Sequence, residues 1–419
     1  MEKKDIKIIF EDFFDYKKNI LYAEDVSLKT IATEYGTPSF VYSKNYLLSQ
    51  IRRFKNAFSG ANSLICYSVK ANSNLNILKM MEKEGYGADV VSEGELRGAI
   101  LAGFTPDKIV FAGVGKSEEE ISYGIKNNIN CFNIENQEEL ALIEKYGKKF
   151  NQKVVCNLRL NLDIDVDTHE YVKTSKNETK FGIDLPLAEK IIKERKKYKY
   201  AQILGFHLHL GSQLKDVTPY TSALKKVKIF SEKVKFQPKI IDIGGGFGIP
   251  YSNKDIVTEI EEFGNVITPI INSMKIESLI LEPGRFIVGN TAVLLTKVLY
   301  VKKRDKKNFV IVDAAMNDLI RPSIYGSYHS IFPILAKKNS MRADIVGPIC
   351  ESGDFLGKDI DIPSDIKAGD LIAVASAGAY SFTMSSNYNS RLKPCEILVD
   401  NKKASIIRKR ETYKDLWKR

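Results

Sequence analysis

The chain has 419 residues, 44% of them hydrophobic, enough for two cores and therefore for two domains. Its net charge of +11 is scattered, with short basic runs at 193–199 and 302–307 that read as solvated faces; without a basic stripe interleaved with aromatics, no nucleic-acid partner is expected. No apolar stretch reaches the roughly 18 residues of a membrane span, and the start, Met1-Glu-Lys-Lys-Asp, lacks the apolar core of a secretory signal, so a cytoplasmic protein off the membrane is expected.

In chain order, eight strand-like runs alternate with helical patterns: Leu64 to Ser68, Ala88 to Val91, Ile109 to Phe111, Cys131 to Ile134, Val154 to Leu160, Leu204 to Leu210, Lys239 to Ile243 and Ser278 to Leu281. The intervening helices are predicted at Asn74 to Glu84, Gly94 to Ala102, Ser117 to Asn127, Gln137 to Lys145, Leu185 to Lys196, Tyr220 to Val234 and Lys254 to Ser273. Alternation implies a parallel sheet, and eight strands close a (β/α)8, or TIM, barrel. After Arg285 the texture changes to short β-rich runs, Thr291 to Lys302, Asn308 to Asp313, Met341 to Val346 and Asp370 to Ala375. The fold class is thus α/β: a barrel over 37–285 and a second, mostly antiparallel domain, Greek-key or β-sandwich-like, from 1–36 and 286–419. Ile6 to Phe10, ahead of any barrel strand, are expected to pair with that second domain.

Five cysteines, odd in number and without metal-binding spacing, predict neither a disulfide framework nor a metal site. Cys66, Cys131 and Cys156 lie within predicted barrel strands and read as core.

The chemically loaded residues follow strand ends, where a barrel collects its working groups on one rim. Lys70, in YSVKAN, is an amine at the edge of an apolar barrel, where desolvation favours the neutral nucleophile that forms an imine; a surface lysine is the plainer alternative. Gly244, Gly245 and Gly246 leave a strand end without side chains, so backbone amides can close on an anion such as phosphate, although glycine runs also make ordinary turns. Ser212 offers a hydroxyl to the same anion. His209 offers a flat ring to an aromatic cofactor, or is a satisfied core residue. In EPGR, Glu282 and Arg285 flank Pro283 and Gly284; they can pair with each other, or meet a pyridinium nitrogen and a substrate carboxylate.

Taken together, YSVKAN at 67–72, HLHLGSQ at 207–213, DIGGGFGIPY at 242–251, EPGRF at 282–286, DAAMNDLIRPSIY at 313–325, GPICESGD at 347–354 and GAYSFTMSSNYNSR at 378–391 resemble, in kind and order, the diaminopimelate decarboxylases. These are pyridoxal-phosphate enzymes that make lysine. The resemblance spans about Thr37 to Val399. It implies Lys70 as the cofactor's imine lysine, His209 as the ring stacked on the cofactor, and Ser212 with Gly244 to Gly246 as the phosphate cradle. Glu282 corresponds to the carboxylate on the pyridine nitrogen, with Pro283, Gly284 and Arg285 in the same cofactor loop. Arg285, Arg321, Tyr325 and Glu351 correspond to substrate-binding positions, Tyr380 to a residue touching both substrate and cofactor, and Cys350 to the proton donor. The resemblance further implies a head-to-tail homodimer in which barrel groups meet Cys350 and Glu351 of the second domain.

The bland reading of Cys350 is a small buried hydrophobe; its neighbours Glu351, Gly353 and Asp354 argue for an exposed polar loop. His207, one pleat from His209, and His169 receive no role. Two departures from the family pattern, Thr174-Ser175 and Asp313-Ala314-Ala315-Met316, touch none of the assigned residues. The alternatives are decarboxylases of ornithine, arginine or carboxynorspermidine, a more distant alanine racemase, or a non-catalytic binding protein. The last predicts loss of Lys70, Glu282 or Cys350, and all three are present.

Overall fold

The computed structural model describes residues 3–164, 179–337 and 339–417. They form two compact units, one of Ile51–Gly248 with Val257–Gly284 and the other of Met1–Gln50, Ile249–Ile256 and Arg285–Arg419.

The first unit is a closed barrel of eight strands, every neighbouring pair parallel: Ser63–Ser68, Gly87–Val90, Ile109–Phe111, Cys131–Ile134, Val154–Arg159, Ala201–His207, Ile240–Asp242 and Ser278–Leu281. Pairing of Ser278–Leu281 with Ser63–Ser68 closes the ring. All eight predicted strands are present, and their ends are carried on side chains that suit a buried interior: Cys66, Val110, Cys131 and Ile280 make a small apolar cluster. A register shift between Ile203 and Gly205 bends one strand. There a Cβ on Gly205 would lie 2.0 Å from the Ile240 carbonyl, so only glycine lets the two backbones meet.

The helices that follow the first five strands begin where short polar side chains cap free amides. Asn74, Ser92, Asn136 and Asp184 each accept a backbone N–H at a helix start, and Ser117 with Glu120 forms a reciprocal capping box. One aromatic cluster packs outside the strands: the Phe247 ring meets Phe54 at 5.0 Å, Tyr220 at 5.2 Å and Phe263 at 5.5 Å.

The second unit is built on Ala292–Lys302, which pairs antiparallel with Ser39–Ser43, Asn308–Val312 and Leu371–Val374. Cys395–Asp400 and Ser340–Val346 add parallel pairs to an otherwise antiparallel nine-stranded sheet. Two expectations are corrected here. The segment from 37 is not barrel, because Ser39–Ser43, apolar throughout its centre and wholly buried, is an interior strand of this sheet with a partner on each side. At the other boundary Arg285 falls in this unit, at the start of the helix Arg285–Val288, rather than in the barrel. Ile6 to Phe10 do join this unit, but as part of a helix, Lys3–Phe10, whose Ile6, Ile9 and Phe10 pack with Phe14, Leu21, Val41, Val293 and Ile397. Among the described residues no helix is long and apolar enough to cross a membrane.

Phe247→Ala should empty the centre of the aromatic cluster and cost about 3–5 kcal/mol of barrel stability. Chemical denaturation checks this; an unchanged midpoint would show that the cluster refills without loss.

Candidate active site

Lys70 stands in the single turn Val69–Ala71 that follows the first barrel strand. Its Nζ donates to Asp89 Oδ2 at 2.8 Å, and Ser68 Oγ donates to the same oxygen. Asp89 is fully buried on the next strand. Burial, then the charge of Glu282, pushes its carboxyl upward against the pull of Lys70. The amine expected at an apolar rim is therefore half-buried beside a carboxylate that no local motif advertised. Burial also pushes nearby Glu95 up to about 7, while its side chain accepts the Val91 N–H at 2.9 Å.

Glu282 follows the last strand. Its N–H donates to Gly244 O at 2.8 Å, extending the sheet past Leu281 and fixing the carboxylate beside the end of Ile240–Asp242. Asn133 Nδ2 donates to Glu282 Oε1 at 3.2 Å and to Asp242 Oδ2 at 2.9 Å. His207 Nε2 lies 3.5 Å from Glu282 Oε2, and His207, Asp242 and Glu282 hold ligand-type atoms within 4.8 Å of one another. Burial alone would raise Glu282, but His207 and then Lys70 outweigh it and hold the carboxyl well below its usual range. Asp242 shifts the opposite way, raised by burial and by Glu282's charge. The site thus keeps one carboxylate ionised and its neighbour disposed to retain a proton.

The two segments expected to bind an anion lie side by side. Leu214 N–H donates to Gly246 O at 2.8 Å and Gly248 N–H to Leu214 O at 2.9 Å, tying 208–214, which carries His209 and Ser212, to the glycine turn. Gly244 (φ +69°) and Gly246 (φ +104°) occupy the left-handed region, and a Cβ on Gly245 would lie 2.2 Å from Glu282 O. His209 is half-buried, with Nδ1 3.4 Å from the Gly245 amide. Burial, then the charges of Arg159 and Lys70, holds its imidazole well below the usual value, so the ring is neutral. Pro283 O accepts the Ser68 N–H at 3.0 Å, and Gly284 is buried beside it.

The other candidates belong to the β-rich unit. Arg285 and Arg321 are each only 6% exposed, an unusual state for two like charges. Both sit by one ring: their guanidinium carbons lie 5.9 and 5.6 Å from the Tyr251 centroid, and Arg285 Nη1 donates to the Tyr251 hydroxyl. Arg285 also covers the Tyr380 ring at 4.9 Å, and Arg321 that of Tyr325 at 5.6 Å. Tyr380 itself holds φ +55°, a conformation L side chains rarely adopt.

Cys350 is exposed and Glu351 is exposed beside it, which removes the reading of Cys350 as a packed hydrophobe. Cys350 N–H donates to Asn389 Oδ1 at 3.0 Å, and Glu351 engages Tyr388 through its side chain. Asp354 corrects the picture of a wholly exposed loop. It is 3% exposed, and its carboxylate accepts the N–H groups of Met316 and Ile349, both at 2.7 Å, which ties the Cys350 loop to 313–321. Ala315, one of the departures from the pattern, is fully buried, and its methyl fits because position 347 is glycine. His169 and Thr174-Ser175 lie outside the described residues.

Sequence reasoning missed Asp89, Asp242, Glu95 and Tyr251. Glu95 yields a pH test. Because its folded proton affinity exceeds that of an unfolded glutamate, about 4.3, the folded state binds more protons up to about pH 7 and loses stability as pH rises through that window. Glu95→Gln should therefore gain stability on the parent between about pH 4 and pH 8, read by urea denaturation; a constant gap would count against a raised Glu95.

Comparison with known proteins places this arrangement. Residues 45–289 match the family model described as the pyridoxal binding domain of pyridoxal-dependent decarboxylases. A diaminopimelate decarboxylase of Aquifex aeolicus is 42% identical over 96% of both chains, and one of Pseudomonas aeruginosa is 39% identical over 97% of this chain and 98% of its own. The crystal structure of diaminopimelate decarboxylase from Helicobacter pylori complexed with L-lysine superposes with a TM-score of 0.88 at 38% identity, covering 93% of this chain and 98% of that one. By sequence, by fold and by the residues gathered at its strand ends, the chain belongs to the diaminopimelate decarboxylases, within the pyridoxal-dependent decarboxylase family.

Proposed function

We propose that the chain decarboxylates meso-2,6-diaminoheptanedioate to L-lysine and carbon dioxide, the last step of lysine biosynthesis, with pyridoxal 5'-phosphate as cofactor. The observation that carries the substrate assignment is the pair of buried arginines, Arg285 and Arg321, held around one tyrosine. Planar guanidiniums take a carboxylate through paired donors, and burial makes the loss of that carboxylate costly. Ornithine and arginine, with a single carboxylate that must leave, would strand the pair.

The residues present fit the cofactor. Gly244 to Gly246 and Ser212 offer amides and a hydroxyl to its phosphate, and the buried Glu282, held ionised by His207 and Lys70, suits a protonated pyridine nitrogen. When bound, pyridoxal phosphate supplies an electrophilic carbonyl and an electron-withdrawing ring. Lys70 Nζ, which donates to Asp89 Oδ2 at 2.8 Å, would be the amine that holds the cofactor through its carbonyl. His209, neutral, presents a flat face without adding charge. Tyr380 is proposed to touch both cofactor and substrate, with Pro283 and Gly284 shaping the loop that carries Glu282 and Arg285.

Arg285, Arg321 and Tyr325 retain one carboxylate of the substrate, and Glu351 takes the distal ammonium. The bond to the other carboxylate breaks, its carbon departs as carbon dioxide, and a proton replaces it on the same carbon. Cys350 is proposed as that proton's source, its exposure suiting a role in chemistry rather than packing. A homodimer and a cytoplasmic setting belong to the same reading. Exposed Cys350 and Glu351 suit a site completed by a second copy, and five free cysteines suit a reducing compartment.

Carbon dioxide release from the meso diacid, compared with ornithine, arginine and lysine, tests the assignment. Preference for any of the three monocarboxylates would overturn it. Lys70→Ala should abolish turnover and the borohydride-fixed retention of cofactor, and full activity in that variant would reject the lysine's role. Cys350→Ala should keep cofactor but slow turnover by roughly 10²–10⁴-fold; an unchanged rate would mean another acid supplies the proton.

A further inference from the structure

Two guanidiniums repel, and burial sharpens the repulsion because less water screens it. Burial pulls Arg321 below the usual guanidinium range, and the charge of Arg285 adds to the pull. Something must hold the pair in register when no substrate anion is there, and among the described residues the Tyr251 side chain lies against both guanidiniums. Its hydroxyl accepts from Arg285, and its ring presents a negative face within reach of both cations.

Tyr251 is itself pinned. Asp255 Oδ2 accepts the backbone N–H groups of Tyr251 and Ser252 at 3.1 and 3.0 Å, Tyr251 O accepts the Ser330 hydroxyl at 2.9 Å, and its ring meets His329 edge-on at 5.0 Å. His329 adds no competing charge: burial, then Arg321, holds its imidazole at about 3, and its Nδ1 faces Ala375 O at 2.8 Å. The phenol tends the other way. Burial alone would raise it, but Arg285 and Arg321 bring it below its ordinary value, which shows how closely both cations bear on the phenol.

We infer that Tyr251 is a positioning residue for substrate selection: it fixes Arg285 and Arg321 as a ready pair for the carboxylate that the product keeps. The inference rests on the decarboxylase reading above and adds a residue to it. Tyr251 acts through the arginines, so its loss weakens carboxylate binding in substrate and product alike while leaving bond cleavage intact. A ligand with the same two amines and no carboxylate is indifferent to it.

The test is Tyr251→Phe as the full-length holoenzyme, which keeps the ring and removes only the acceptor. KM for meso-2,6-diaminoheptanedioate should rise roughly tenfold to hundredfold, as expected for losing one hydrogen bond to a charged group, with kcat within about threefold of the parent. Inhibition by L-lysine should weaken by a similar factor, and inhibition by 1,5-diaminopentane should not change. Equal weakening of both inhibitors, a fall in kcat at constant KM, or kinetics like the parent's would each overturn the inference. A lowered melting temperature with general loss of binding would do the same, by making Tyr251 merely structural. A parent enzyme that fails to release carbon dioxide from the meso diacid defeats the underlying function instead, so the two failures are told apart.

Discussion

Everything at the barrel rim is governed by the cost of burying negative charge. Asp89, Asp242 and Glu282 are all at or below 2% exposed and stand on or just after strands that parallel closure forces to end on one side. The molecule resolves this unevenly. Lys70 and the Ser68 hydroxyl compensate Asp89, His207 and Asn133 compensate Glu282, and Asp242 is left inclined to hold its proton. Differences in partner, not in residue type, are what separate the three.

The β-rich unit meets the complementary problem. Buried cations are gathered there around aromatic rings, and the hydroxyl of Tyr251 serves where a carboxylate would have neutralised the pair permanently. A phenol attracts guanidiniums without cancelling their appetite for an anion. The loop bearing Cys350 follows a different rule, since the side chains of Cys350 and Glu351 are exposed while a buried carboxylate, Asp354, braces the backbone from within.

The barrel was readable because each strand is a short apolar run and the first five are each followed by a side-chain-capped helix, so that two periodicities alternate along the chain. Motif residues stood out for the same reason, being polar or glycine directly after such runs. Asp89 and Asp242 were not readable: each is one acid within an apolar run, and only closure of the ring shows that Asp89 meets Lys70 and Asp242 meets Asn133. Ile6 to Phe10 could be strand or helix by pattern, and packing against Phe14 and Val41 decides for helix. Asp354 reads as surface beside Ser352 and Gly353, because the amides it binds are non-local. Ser39–Ser43 falls inside the expected barrel boundary at 37, because the partners that claim it for the other sheet lie some 250 and 350 positions later.

That strand has a consequence for synthesis. A ribosome delivers Ser39–Ser43 ahead of every barrel strand, yet the two segments that sandwich it, Ala292–Lys302 and Cys395–Asp400, emerge only after the last of those strands. All eight barrel strands have been made by Leu281, so the ring can close while an apolar edge waits upstream with its backbone groups unsatisfied. A nascent chain stalled between Leu281 and Cys395 would carry all eight barrel strands together with an upstream apolar strand open on at least one edge, a template for unwanted pairing.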